Sequence, residues 1–562
     1  MPSSTRRVVT GAALALPLAL SPASLAIAPA SAAPTRSVTA APAGDPVPTP
    51  TMKRPPLRWS QYVAQKPTWS AKLCTPDIAA GLKDIPKKQR PVIECARIRT
   101  PLDWGDLSKG SMVLQLTRTV RPKAVRRAVR APRARGLFVN PGGPGGPAGL
   151  LVAPVALTKP MLRTTHDIVA VDPRGTGGST PLPCRPYMDP IPDLRVTTRA
   201  ARAKVQAAYR TFAQTCVAEH RSVLRHITTA NTVHDHDLAR RVLGYPQADW
   251  FGISGGSWMG AYYARLHPRT VGRVVVDANT DFSSDWRTSF HDFPMGFQRR
   301  YDRQFLPWAA RHHREYKLGT TAAAVRASVE RVRAAAGAGK VPGLTPNTLD
   351  LVVFQLLYAD ETLPALATQI GKTATALRTG RRPTAFRMPE GMNPVPGGSV
   401  APAVPKMALV TVRQSIICND GPFTRTPASF EKEILDLGRR FPNFGYISGM
   451  IVAPCAYWKV PVDKKVQIAG VPMPRMLMLQ NQLDPATPIE GAKRAHAAVR
   501  NTRMITVKGA GAHGAFLAAP PTSCVAKHTM AYLQQGVFPT RDLECTGTPL
   551  PGDTKVYEYT AG

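Results

Sequence analysis

Three short segments of the chain carry the residue types that hydrolytic chemistry needs. Gly252-Ile253-Ser254-Gly255-Gly256 has the spacing G-x-S-x-G, in which a sharp strand-to-helix turn lifts a serine hydroxyl clear of the backbone. A serine hydroxyl attacks poorly until a neighbouring base takes its proton, and the base in turn needs a carboxylate to orient it. His513 stands in Gly509-Ala510-Gly511-Ala512-His513-Gly514, directly after a strand-like stretch, and a histidine in a glycine-rich loop is free to reach across a cleft. His496 and His528 lie on helical patterns instead, where a surface role is the simpler reading. Asp484 follows the apolar run Met476 to Leu479 in Gln480-Asn481-Gln482-Leu483-Asp484-Pro485, and Thr487 with Glu490 reads as a capping box opening the next helix. Asp277, which ends the strand Val274 to Val276, is the rival acid.

Attack by such a serine on a carbonyl produces a tetrahedral oxyanion, which two backbone N–H groups must hold. One donor is expected from Gly255, the residue after the nucleophile. The other is expected from the turn Asn140-Pro141-Gly142-Gly143-Pro144-Gly145-Gly146, with Gly143 favoured. A second glycine-rich segment, Asp172-Pro173-Arg174-Gly175-Thr176-Gly177-Gly178-Ser179, follows the next apolar stretch. Neither segment fits a phosphate loop, because no G-x-x-x-x-G-K-[ST] follows and the first strand has no dinucleotide fingerprint. No cofactor and no metal are implied.

The elements that must position these residues alternate between strands and helices. Val92 to Arg99, Met112 to Thr119, Gly136 to Val139, Asp167 to Val171, Trp250 to Ile253 and Val274 to Val276 read as strands. Thr197 to Cys216 carries a helical pattern through Val205, Tyr209, Phe212 and Cys216, and Thr232 is placed to cap a helix ending at Leu243 before Gly244. Gly256 to Leu266 is the helix expected after the serine turn. This alternation predicts an α/β fold with a mostly parallel sheet covered by helices. Beyond Asp285 helical patterns dominate to about Leu437, broken by a Pro/Gly-rich loop from Met388 to Pro405, and sheet rhythm returns at Met476 to Leu479 and Met504 to Val507. Residues 285–470 are therefore expected to be a helical insertion, a lid dividing a core of residues 57–284 and 471–562, with the Cys524 to Cys545 stretch as closing helix and tail. The chain order Ser254, Asp484, His513 is the α/β-hydrolase order, and an insertion of this size accounts for the wide gap between the first two.

The chain has 562 residues, 73 Lys and Arg against 36 Asp and Glu, and a formal charge of +37. A field of that sign attracts polyanions such as acidic wall polymers. The densest basic run, Arg118 to Arg135, lacks interleaved aromatics and any nucleic-acid-binding signature, so it reads as a solvated hairpin loop and no specific nucleic acid is expected. Residues 1–33 have the form of an export signal: Arg6 and Arg7, an Ala/Leu-rich run from Val8 to Ile27, and small residues at Ala30-Ser31-Ala32. Thr5-Arg6-Arg7 fits twin-arginine and ordinary signals alike. Pro17 and Pro22 interrupt the apolar run, and no later stretch is long enough to span a bilayer. Residues 34–56, rich in Pro, Ala and Thr, read as a linker. Eight cysteines in an exported chain, none in a C-x-x-C pair, suggest disulfides rather than a metal knuckle. Sequential closure, Cys74–Cys95, Cys184–Cys216, Cys418–Cys455 and Cys524–Cys545, clips four local loops; free buried cysteines are the alternative.

Taken together, Asn140 to Gly146, Asp172 to Ser179, Gly252 to Gly256, Asp484 and His513 resemble the proline-iminopeptidase and tripeptidyl-aminopeptidase family of secreted α/β hydrolases. The likeness covers most of residues 90–545 and is greatest to actinobacterial tripeptidyl and prolyl tri/tetrapeptidyl aminopeptidases. It implies metal-free release of short peptides from free N-termini through an acyl-enzyme. The chain departs from the family in having Pro141 where iminopeptidases usually carry His, and in reading Ser-Gly-Gly-Ser-Trp rather than Ser-Tyr-Gly-Thr after the elbow. An aminopeptidase must also hold an α-ammonium; Asp420, in Ile417-Cys418-Asn419-Asp420, is the candidate, and Trp258 is a candidate for the pocket wall. The same triad serves an esterase or lipase, since fold and triad do not choose between ester and amide. A binding protein anchored to acidic wall polymers by its basic face is a third reading.

Overall fold

In the computed structural model, residues 54–557 are described apart from Asp84 and the segments 123–134, 185–190, 387–403, 422–425 and 462–463. The expected export signal, most of the linker, most of the basic run and most of the Pro/Gly-rich loop therefore lie outside the described residues.

Nine strands form one sheet: β1 (Glu94–Pro101), β2 (Ser111–Thr119), β3 (Arg135–Asn140), β4 (His166–Val171), β5 (Ala248–Ile253), β6 (Val271–Asp277), β7 (Met476–Asn481), β8 (Thr502–Lys508) and β9 (Leu543–Thr546). Their order is β1-β2-β4-β3-β5-β6-β7-β8-β9. β1, β2 and β4 pair antiparallel, and from β4 onward every pairing is parallel. Parallel strands need both faces covered, which explains why β5 and β7 are almost continuously apolar and buried. Trp250, Val274, Val276 and Met478 enter one core; Phe251, Val275, Leu477 and Leu479 enter the other, on the opposite face.

Several boundaries differ from the sequence reading. β2 pairs with β4 rather than β3, so the basic run joins two strands that are not neighbours and is not the loop of a hairpin. The helix after residue 227 begins at Thr229, not Thr232, because the Thr228 side chain accepts from Asn231 N and takes the cap. The helix Arg199–Leu224 runs eight residues past Cys216, through Val223 and Leu224, which are buried. Val404–Asn419 is helical, so the expected loop ends before Pro405. β9 was not anticipated: four residues at a sheet edge give too short a pattern to read. Among the described residues no strand lies between Asp277 and Met476, a stretch built from helices running from Trp286 to Tyr457.

The four disulfides Cys74–Cys95, Cys184–Cys216, Cys418–Cys455 and Cys524–Cys545 are present, and no cysteine is free. Cys418–Cys455 joins the helix Val404–Asn419 to the turn that follows the helix Gly445–Val452. Its span of 37 residues corresponds to a stabilisation of about 3–4 kcal/mol. A Cys418→Ser/Cys455→Ser double variant is expected to melt several degrees lower than the parent by calorimetry; an unchanged melting temperature would contradict that contribution.

Candidate active site

The parallel strands end at one edge of the sheet, and the sequence-predicted chemistry gathers there. β5 turns directly into the helix Gly255–Leu266, and Ser254 at the turn has φ 59° and ψ −123°, a left-handed conformation that a side chain rarely adopts. The turn is held by Ser254 N donating to the Asp277 carbonyl at 2.9 Å, and by Ser257 Oγ donating to the Ser254 carbonyl at 2.5 Å. A Cβ on Gly252 would lie 2.2 Å from the Gly256 carbonyl oxygen, so strand and helix approach too closely for any side chain there.

Asp484 and His513 meet across the β7 and β8 loops. His513 Nδ1 lies 2.9 and 3.1 Å from the two carboxylate oxygens of Asp484, which is wholly buried. Asp484 Oδ1 also accepts from Ala486 N and Thr487 N, so the carboxylate is fixed before it meets the imidazole. These bonds replace the expected capping box. Pro488 occupies the cap of the helix Ile489–Ala498 without a side-chain bond, and Glu490 pairs with Arg299.

The loop carrying His513 is secured on several sides. Asn481 Nδ2 donates to the carbonyls of Ala512 and Gly514, and His513 N donates to the Tyr358 carbonyl at 2.7 Å. The Tyr358 ring stands edge-on to the imidazole, centroids 5.2 Å apart. Asp277, the rival acid, does not meet the imidazole. Its carboxylate accepts from Ala515 N and Phe516 N, anchoring the loop just after the histidine. Burial pushes its pKa up to about 6 against the pull of those N–H groups. A Cβ on Gly514 would sit 3.7 Å from Ile253 Cγ2, which places the histidine loop against the residue preceding Ser254.

The Asn140–Gly146 turn lies over the start of the Gly255–Leu266 helix. A Cβ on Gly255 would be 3.1 Å from Gly143 N, so the two expected oxyanion donors are neighbours, and both residues line the same cleft as Ser254. Within the turn, Gly142 N donates to Asn140 Oδ1 and Gly146 N to the Gly142 carbonyl, while Pro144 has no N–H to offer. Gly142 has φ +88°, and a Cβ there would fall 2.3 Å from the Ile253 carbonyl and 2.5 Å from Gly255 N. Gly142→Ala is accordingly expected to displace the turn from Gly255 and cut kcat by about 100-fold, the scale of losing one oxyanion donor, measured by steady-state kinetics on a folded variant.

The cleft encloses about 1010 Å³ of space open to solvent. Trp286, Phe290, Phe293, Phe354, Met450 and Ile451 make an apolar wall contributed by the helical stretch between β6 and β7. Asn279, Asp281, Ser289 and Asp292 make a polar patch beside it. Asp281 and Asp292 share one guanidinium, Arg494, leaving the patch with an excess negative charge. Asn279 Oδ1 is buried with no hydrogen-bond partner, its Nδ2 being spent on the Leu479 carbonyl.

Two sequence candidates fall elsewhere. Asp420 does not line the cleft: its carboxylate accepts from Thr229 N at 2.9 Å, Thr229 Oγ1 at 2.5 Å and Trp286 Nε1 at 3.1 Å, and so binds a helix start to the helical stretch. Trp258 is fully buried behind the wall, stacked on Trp286 with centroids 4.2 Å apart. The carboxylates on the cleft are Asp281 and Asp292, which sequence reasoning missed because isolated aspartates after a strand carry no pattern. Among the described residues, the one cluster with metal-ligand spacing comprises Cys184, Glu219 and His220, and its cysteine is already in a disulfide.

Two family models match the chain: the alpha/beta hydrolase fold over residues 137–341, and TAP-like protein over residues 442–545. The chain is 28% identical over 480 residues to a tripeptidyl aminopeptidase from Streptomyces coelicolor, covering 82% of this chain and 84% of that protein. It is 22% identical over 496 residues to serine protease Hip1 from Mycobacterium tuberculosis, covering 80% and 87%. A shorter match, 34% identical over 161 residues, is to carboxylesterase B from Mycobacterium tuberculosis, covering 26% of this chain and 28% of that protein.

Proposed function

The chain is a tripeptidyl aminopeptidase-like α/β hydrolase and a serine peptidase, and from that premise we propose that it releases short peptides, of three or four residues, from free N-termini. Ser254 attacks the scissile carbonyl as His513 takes its proton, and Asp484 orients the imidazole and supports its positive charge. Gly255 N and Gly143 N hold the oxyanion, and the acyl-enzyme is then hydrolysed by water. The observation that carries this assignment is the Asp484–His513 pair, fixed at 2.9 Å beside the Ser254 turn. Residues 285–470 serve as a lid whose helices close over the cleft.

The free amine is the part of the substrate that separates this reading from general proteolysis. Asn279 Oδ1, Asp281 and Asp292 offer oxygen acceptors and excess negative charge beside the apolar wall, which suits an ammonium at the end of a short peptide. A tripeptide anilide should be cleaved, its N-blocked form at least about 100-fold more slowly, and a short-chain ester no better than the anilide. Ester turnover alone would sink the proposal in favour of the esterase reading, which the carboxylesterase match favours over its limited length. Asp292→Asn should raise KM for the free-amine anilide about tenfold or more, as expected for loss of a charge-assisted hydrogen bond.

Export is supported by the signal-like residues 1–33 and by four disulfides with no free cysteine. The +37 charge favours association with anionic wall polymers after export.

A further inference from the structure

The cleft holds a second charged group of opposite sign. Arg413, on the helix Val404–Asn419, lines the same cleft as Ser254, Gly255 and Gly143. Arg174, Arg202, Arg300 and Arg333, buried or half-buried elsewhere, are paired with Asp235, Glu431, Asp360 and Asp350, whereas Arg163 and Arg273 spend their guanidinium groups on the Val120 and Leu533 carbonyls. Arg413 has no carboxylate within ion-pair range among the described residues, and its Nε is buried without a hydrogen-bond partner. Leaving a guanidinium so placed unpaired is costly unless something else fills its fork.

Its position relative to the reacting bond follows from two contacts. A Cβ on Gly145, in the oxyanion turn, would meet Val412 Cγ1 at 2.7 Å and Arg413 N at 3.2 Å, so this helix rests on the turn that presents Gly143. Arg413 lines the same cleft as Tyr358, whose ring faces His513. Burial, and then the charge of Asp484, push the Tyr358 hydroxyl's pKa up, and Arg413 is the charge that opposes them. The guanidinium thus stands on the wall flanking the catalytic residues, while Asp281 and Asp292 supply the negative patch.

We propose that Arg413 is a carboxylate receptor that selects peptides carrying a negative charge close to the scissile bond. A planar guanidinium presents parallel N–H donors that match a carboxylate in two-point contact. With the negative patch receiving the ammonium, the cleft then suits a short peptide with opposite charges at its two ends. The carboxylate has two sources in such a substrate: the C-terminus of a very short peptide, or an acidic side chain just beyond the cleaved bond. The inference rests on the peptidase reading above.

Two matched pairs of substrates separate these sources on the purified mature protein. The first is tetra-alanine with a free or an amidated C-terminus; the second is an amidated pentapeptide with aspartate or asparagine at the fourth position. The parent enzyme should favour the charged member of at least one pair by about tenfold or more in kcat/KM, with the pair identifying the source. Arg413→Met should bring that ratio to about one, mainly through KM, and Arg413→Lys should leave it intermediate. Cleavage of all four substrates with ratios near one in the parent enzyme overturns the receptor and leaves the peptidase reading standing. Cleavage of none overturns the peptidase reading itself. Because the parent ratios need no variant, the test survives if Arg413→Met fails to fold. A preference that persists in a folded Arg413→Met protein overturns the assignment to this residue.

Discussion

Ser254→Ala is expected to lower kcat on a tripeptide anilide by about five to six orders of magnitude while leaving substrate affinity and melting temperature nearly unchanged. In the proposed mechanism the removed hydroxyl forms the bond to the substrate, and nothing nearby replaces it; Ser257, the nearest hydroxyl in sequence, is tied to the Ser254 carbonyl and to Thr280. Alanine is smaller than serine and leaves the tight turn undisturbed, so the fold should persist. The residual rate should still exceed that in water, by roughly 10³–10⁴, because oxyanion donors and cleft remain. Activity within tenfold of the parent would refute Ser254 as nucleophile. Active-site titration with a fluorophosphonate gives an independent reading: stoichiometric labelling in the parent, none in the variant.

The second large effect distinguishes two aspartates that both bond to the histidine loop. Asp484→Asn should reduce kcat by about 10⁴, because an amide in that position either donates toward Nδ1 or holds the wrong tautomer. Asp277→Asn should cost far less, on the order of 10- to 100-fold, since it loosens the Ala515 and Phe516 anchor without touching the imidazole. The pair is read from kcat on one substrate at the pH optimum. The reverse ranking would transfer the acid role to Asp277.

Most of the sheet was legible because the central parallel strands carry compact apolar runs ended by turn or polar residues, and because the chemistry sits where such strands end. Ser254 and His513 stand in glycine-rich turns whose composition has a steric cause, as the Gly252 and Gly511 contacts show: a Cβ on Gly511 would lie 1.8 Å from Gln304 Oε1. Asp484 was legible by its place after β7. Local patterns failed where distant groups competed for the same side chain. Thr487 and Glu490 have capping-box spacing, but Asp484 captured the N–H groups and Arg299 captured Glu490. Asp420 had the right chemistry for an ammonium, yet Thr229, remote in sequence, had claimed it. Asp281, Asp292 and Arg413 acquire meaning only when helices from the long stretch between β6 and β7 fold against the sheet, and no short-range spacing announces that.

The hydrogen bond from His513 N to the Tyr358 carbonyl ties the proposed general base to the helical stretch as well as to the sheet. Any outward swing of that stretch wide enough to break this bond would also release the imidazole from one of its supports. If that stretch is the lid proposed above, its displacement and the positioning of the proposed proton acceptor are mechanically coupled through this one bond.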